Sequence, residues 1–82
     1  MPTIRFIHDP GHGWLEVPMA DIKALGIRGE ISSCSFISGD NAYLEEDCDA
    51  GVYLSALEKQ GIQRPEIAFV SVDHFDRNKR RF

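Results

Sequence analysis

Residues 6–27 read FIHDPGHGWLEVPMADIKALGI, and residues 36–62 read FISGDNAYLEEDCDAGVYLSALEKQGI. Each stretch runs Phe-Ile, a polar turn, aromatic-Leu-Glu, a helical segment and Gly-Ile. A hairpin followed by a helix, written twice, predicts the architecture. A lone hairpin is marginal in water, so each ββα unit must bury its apolar face against the other. With Glu66–Asp73 as a final strand, the order is ββαββαβ. That order is of the α+β class: one roughly five-stranded mixed sheet with two helices on one face. Residues 1–76 form the single domain. Residues 77–82 are a basic tail expected to fray.

Local signals support each element. Thr3–His8 carries Ile4, Phe6 and Ile7, which favour a strand. Asp9-Pro10-Gly11 is a turn, since proline presets φ and glycine accepts a positive one. Gly13–Val17 returns as a strand, and Pro18 suits the first turn of a helix. Met19, Ile22 and Leu25 follow at helical spacing, and Gly26-Ile27 suits a Schellman ending. The second unit repeats this with strands Ser33–Ser38 and Ala42–Glu46 around a Gly39-Asp40-Asn41 turn. Asp47 or Asp49 is placed to cap the next helix. Ala50, Tyr53, Leu54 and Leu57 form its apolar stripe, and Gly61-Ile62 ends it. The run IAFVSV in Glu66–Asp73 is apolar on both faces, which predicts a strand inside the sheet.

An 82-residue chain forms one small domain. Its composition, 43% hydrophobic and 27% charged, is that of a folded globule, and no apolar run approaches the length of a membrane span. The first residues lack the pattern of a signal peptide, so the expected location is cytoplasmic and Cys34 and Cys48 are expected as free thiols. Charge is unevenly placed. All 13 acidic residues precede Arg77, so residues 1–76 carry a formal −8 against −4 for the whole chain. No Lys or Arg lies between Arg28 and Lys59, a stretch holding Glu30, Asp40, Glu45, Glu46, Asp47, Asp49 and Glu58. Such a field repels nucleic acid and attracts basic partners, so direct nucleic-acid binding is not expected.

Strand alternation then selects candidate contact residues. Leu15 and Leu44 point to one side of their strands, while Trp14, Glu16, Tyr43 and Glu45 point to the other. If the helices cover the leucine side, two aromatics and two carboxylates occupy an open face, a pattern that marks contact sites. With Glu46, Asp47 and Asp49 they make the expected protein-binding surface. The competing reading is that the rings are buried core. In the HDPGHG turn, His8, Asp9 and His12 would supply metal ligands or an acid–base pair, although turn chemistry alone accounts for them. No EF-hand spacing, nucleotide loop or nucleophile motif is present, so no cofactor and no catalytic residue is assigned.

The segments GHGWLEVP and YLEEDCD, about 30 residues apart, resemble a family of short uncharacterised proteins of bacteriophages and bacterial mobile elements. The resemblance spans roughly residues 6–62. It carries no catalytic residues. It implies a phage-encoded accessory protein or inhibitor acting on a host protein, such as a nucleic-acid-binding defence effector. The readings that emerge are an acidic protein-binding module, a metal-dependent or acid–base enzyme at the histidine turn, and a homodimer built through a sheet edge or the aromatic face.

Overall fold

The β-branched and aromatic residues of the first hairpin form two strands, β1 (Thr3–His8) and β2 (Gly13–Pro18), in the computed structural model, which describes residues 3–82. Asp9 closes the turn between them: its Oδ1 accepts the N–H groups of Gly11 and His12, each at 2.9 Å. Helix α1 (Met19–Ala24) follows directly, then a short 3₁₀ turn at Arg28–Glu30. The second hairpin is β3 (Phe36–Ser38) and β4 (Asn41–Glu45), followed by helix α2 (Ala50–Lys59) and strand β5 (Glu66–Ser71). Both helices end alike. Gly26 and Gly61 take φ of 70° and 68°, and Ile27 and Ile62 donate back to Ile22 and Leu57.

The class is α+β, with one mixed sheet and two helices, but among the described residues the sheet has six strands rather than five. Its order is β5–β1–β2–β4–β3–β6, where β6 is Arg80–Arg81. The tail expected to fray therefore supplies a strand: Arg80 and Arg81 pair antiparallel with Ile37 and Phe36. The expectation that Glu66–Asp73 lies inside the sheet is also corrected. β5 runs parallel to β1 as an edge strand, and Phe69 on it is 74% exposed. β3 is shorter than Ser33–Ser38, because residues before Phe36 form a turn tied to Asp49.

The two units meet through β2 and β4. Leu15 lies opposite Leu44, Trp14 opposite Glu45 and Glu16 opposite Tyr43. This antiparallel register relates the Trp-Leu-Glu and Tyr-Leu-Glu triplets by a local twofold, so each aromatic faces the other unit's carboxylate. The leucine side is the one the helices cover. Leu15, Val17, Ala42 and Leu44 pack there with Ile22 of α1 and Tyr53, Ala56 and Leu57 of α2. In α2 the buried stripe takes Ala56, and Leu54 is only half-buried. Burial of each large side chain contributes roughly 1.5–3 kcal/mol. A second, smaller core of Ile7, Trp14, Phe36 and Phe75 occupies the opposite side.

Candidate functional site

The helices take the leucine side and leave the Trp14–Tyr43 side free of helix, yet that side is not open. Residues 72–82 cross it as a strap. Phe75 lies flat on Trp14, with ring centroids 4.0 Å apart and planes inclined by 13°, and also meets Tyr43 and Phe36. Trp14 is 2% exposed in consequence, and Tyr43 is half-buried. The expected open docking surface is thus corrected, and the cause is the tail's own chemistry. Arg77 sits 5.1 Å from the Trp14 ring, Lys79 5.5 Å from Tyr43 and 5.1 Å from Phe75, and Arg81 5.1 Å from Phe36. Each such cation–π contact contributes about 0.5–1 kcal/mol when partly exposed. Hydrogen bonds pin both ends of the strap. Asp9 Oδ2 accepts from the Phe75 N–H and from Arg77, and the Phe82 N–H donates to the Ser35 carbonyl. Under the strap, the Trp14 Nε1–H is buried and meets no acceptor among the described residues.

The carboxylates chosen from the sequence separate into two groups. Glu16 is engaged by a two-pronged Arg5 contact, at 2.9 and 2.8 Å, which holds its carboxyl below the usual range. Burial, then a bond to Glu16, pushes the Tyr43 hydroxyl up. Glu45 is buried, and its Oε2 accepts the N–H groups of Asp47 and Cys48 at 2.8 and 3.1 Å. Asp49 precedes α2 but does not cap it with its side chain. Its carboxylate is buried, accepting from the Ser32 N–H at 3.0 Å and from the hydroxyls of Ser32 and Ser35. Only Glu46 and Asp47 of the seven expected contact residues are exposed. Ligand atoms of Glu45, Glu46 and Asp47 lie within 4.8 Å of one another.

The histidine turn is not arranged as a ligand set. Both Asp9 oxygens are already engaged, and the His12 N–H, followed by those of Phe75 and Gly11 and by Arg77, lowers its pKa to about 2. Such a carboxylate is a weak base. His8 instead stacks on Phe6, with centroids 6.2 Å apart. The exposed His12 ring lies 5.9 Å from Trp14, and its Nδ1 is 3.7 Å from Glu45 Oε1.

The feature that sequence reasoning missed lies on the helix side of the sheet, beyond the reach of the helices. There Phe69 of β5 packs on Phe6 of β1, centroids 5.6 Å apart. A shallow cleft of about 350 Å³ runs beside them, lined by Phe6, His8, Pro10, His12, Glu46 and Phe69. The Phe6 ring lies so close to Gly13 that a Cβ there would run into it. Alternation places Phe6 and Phe69 on one face. The signal was legible only with knowledge that β5 pairs with β1 at the edge. A larger, mostly apolar cleft of about 600 Å³ opens at the other end, between Ile4, Leu25, Leu57, Ile62 and Pro65.

Searches against protein-family models, curated proteins and solved structures find no match for this chain. Among the described residues, no helix is long and apolar enough to cross a membrane.

Proposed function

We propose that this chain is a non-enzymatic protein-binding module whose partner presents a basic segment with an apolar side chain. The observation that carries the reading is Phe69, a large aromatic left 74% exposed beside the carboxylate of Glu46. An exposed aromatic bordered by unpaired acid is what a docking surface needs: the ring supplies apolar area, the acid supplies attraction and orientation. The acidic balance of residues 1–76 extends the same field over the rest of the molecule. The GHGWLEVP and YLEEDCD segments support the narrower proposal of a phage-encoded accessory protein or inhibitor. It would act in the cytoplasm on a host nucleic-acid-binding effector, whose basic surface suits this cleft.

Affinity capture from host lysate at about 50 mM salt, where charge attraction is strongest, tests the reading. The comparison is between the wild-type chain, Phe69→Asp and Glu46→Lys. A partner held by the wild type should be weakened by about 30-fold in Phe69→Asp, from roughly 2 kcal/mol of lost apolar burial. Glu46→Lys should release it as well. No partner at low salt, or a partner held equally by all three proteins, overturns the reading.

The open edge of β5 favours a second reading, in which another copy of the chain pairs there as an added strand. Light scattering separates the two: a monomer at high concentration discards the dimer.

A further inference from the structure

Cys34 and Cys48 are far apart in the chain, yet the Cys48 thiol donates to Cys34 Sγ at 3.4 Å. Both are free and exposed. Their closeness is imposed by buried polar structure. Asp49, next to Cys48, accepts three hydrogen bonds from Ser32, two residues before Cys34, and Ser35, the residue after it. The Ser35 hydroxyl accepts the Glu45 N–H at 3.0 Å, and the Ser32 hydroxyl accepts the Cys34 N–H at 3.2 Å. Two turns are thereby stapled together with one thiol on each. Neither thiol belongs to the three-donor group of Glu45, Glu46 and Asp47, the convergent metal-ligand set found among the described residues. This favours sulfur–sulfur chemistry over metal chelation.

We propose that Cys34 and Cys48 are a reversible dithiol–disulfide site, oxidised by low-molecular-weight disulfides, whose closed form latches the C-terminal strap. The sulfurs need to approach by only about 1.4 Å to reach the bonded distance. In the first step Cys34 loses its proton, and its thiolate attacks one sulfur of the small disulfide. A mixed disulfide forms on Cys34 and one small thiol leaves. In the second step Cys48 loses its proton and attacks the Cys34 sulfur, forming the intramolecular bond and expelling the second small thiol. Two protein thiols are oxidised and one small disulfide is reduced to two thiols. The order follows from the geometry: the Cys48 S–H points at Cys34 Sγ, which favours the thiolate on Cys34 and leaves Cys48 as the resolving thiol.

The link to the strap is direct. The residues on either side of Cys34 are its landing points: the Ser33 carbonyl accepts from Arg81 at 2.9 Å, and the Ser35 carbonyl accepts the Phe82 N–H at 3.1 Å. A covalent tie through Cys34 stiffens the turn that offers both carbonyls. The inference stands apart from the binding reading, because it needs no partner.

The test equilibrates the reduced full-length protein with glutathione disulfide, without oxygen. Intact mass and peptide mapping then follow the thiols, and hydrogen exchange follows the Phe82 amide. The expected product is a monomer lighter by two hydrogens with a Cys34–Cys48 linkage. Cys48→Ser should stop at the mixed disulfide on Cys34. Exchange at Phe82 should slow by about tenfold in the closed form, a part of what closing a loop of this length contributes. Wild type that stops at a mixed disulfide, or that cross-links between copies, overturns the site. A closed form whose Phe82 exchange is unchanged overturns the latch.

Discussion

Replacing Phe75 by alanine removes the ring on which the strap is built. Phe75 is 5% exposed, stacked on Trp14 and touching Tyr43 and Phe36. Phenylalanine-to-alanine changes in cores cost about 3–5 kcal/mol. The strap is a single segment rather than a rigid layer, so it relaxes by lifting off, which places the cost near the lower end, about 3 kcal/mol. A domain of this length has roughly 4–12 kcal/mol in total, so the variant folds but is markedly weakened. With a urea slope near 1 kcal/mol/M, the midpoint falls by about 3 M. Trp14 is the only tryptophan in the chain, so its fluorescence reports on the same event. Emission from the native Phe75→Ala protein should shift to the red as water reaches the indole, before any global unfolding. A loss below about 1 kcal/mol with unchanged native emission would refute the claim that Phe75 holds the strap on this face.

Acid should weaken the protein through Asp9. Its folded pKa, about 2, lies below its ordinary value of 3.8, so its contribution is present above the ordinary value and is lost as pH falls toward 2. Urea midpoints measured between pH 6 and pH 2 should fall less steeply in Asp9→Asn than in the wild type. Asp49→Ala leaves the Ser32 N–H and the hydroxyls of Ser32 and Ser35 without their acceptor and should cost about 2–4 kcal/mol by chemical denaturation. Gly13→Ala forces the Phe6 ring aside, with an expected loss of about 1–3 kcal/mol and a changed environment for Phe69, readable by proton NMR of the ring.

Much of the frame was legible because it is written in local, periodic terms. The turn residues, the glycines that end the helices, and the Trp-Leu-Glu and Tyr-Leu-Glu alternation all act over a few residues. Alternation sorted the side chains into two faces, but which face the helices cover was not legible from it. Long-range choices were not legible. Nothing within Glu66–Asp73 says whether its outer edge finds a partner, so an apolar run read as interior became an edge strand. Asp49 has the sequence position of a cap, but its carboxylate reaches Ser32 and Ser35, a contact that only the folded chain brings about. The tail misled for a chemical reason. Four cations in six residues suggest a solvated end, yet Arg77, Lys79 and Arg81 each find an aromatic ring, and Phe75 just before them supplies the anchor. The expected site failed at Trp14 and Tyr43 for that same reason, and the exposed ring turned out to be Phe69.

The division of aromatics into a strapped face and an open cleft underlies every functional statement, and hydroxyl-radical footprinting with mass spectrometry reads it in one measurement. Phe69 should be oxidised much faster than Trp14 or Phe75, despite the higher intrinsic reactivity of an indole. Modification of Trp14 at a rate equal to or above that of Phe69 would show the strap lifted from its face and would contradict the account.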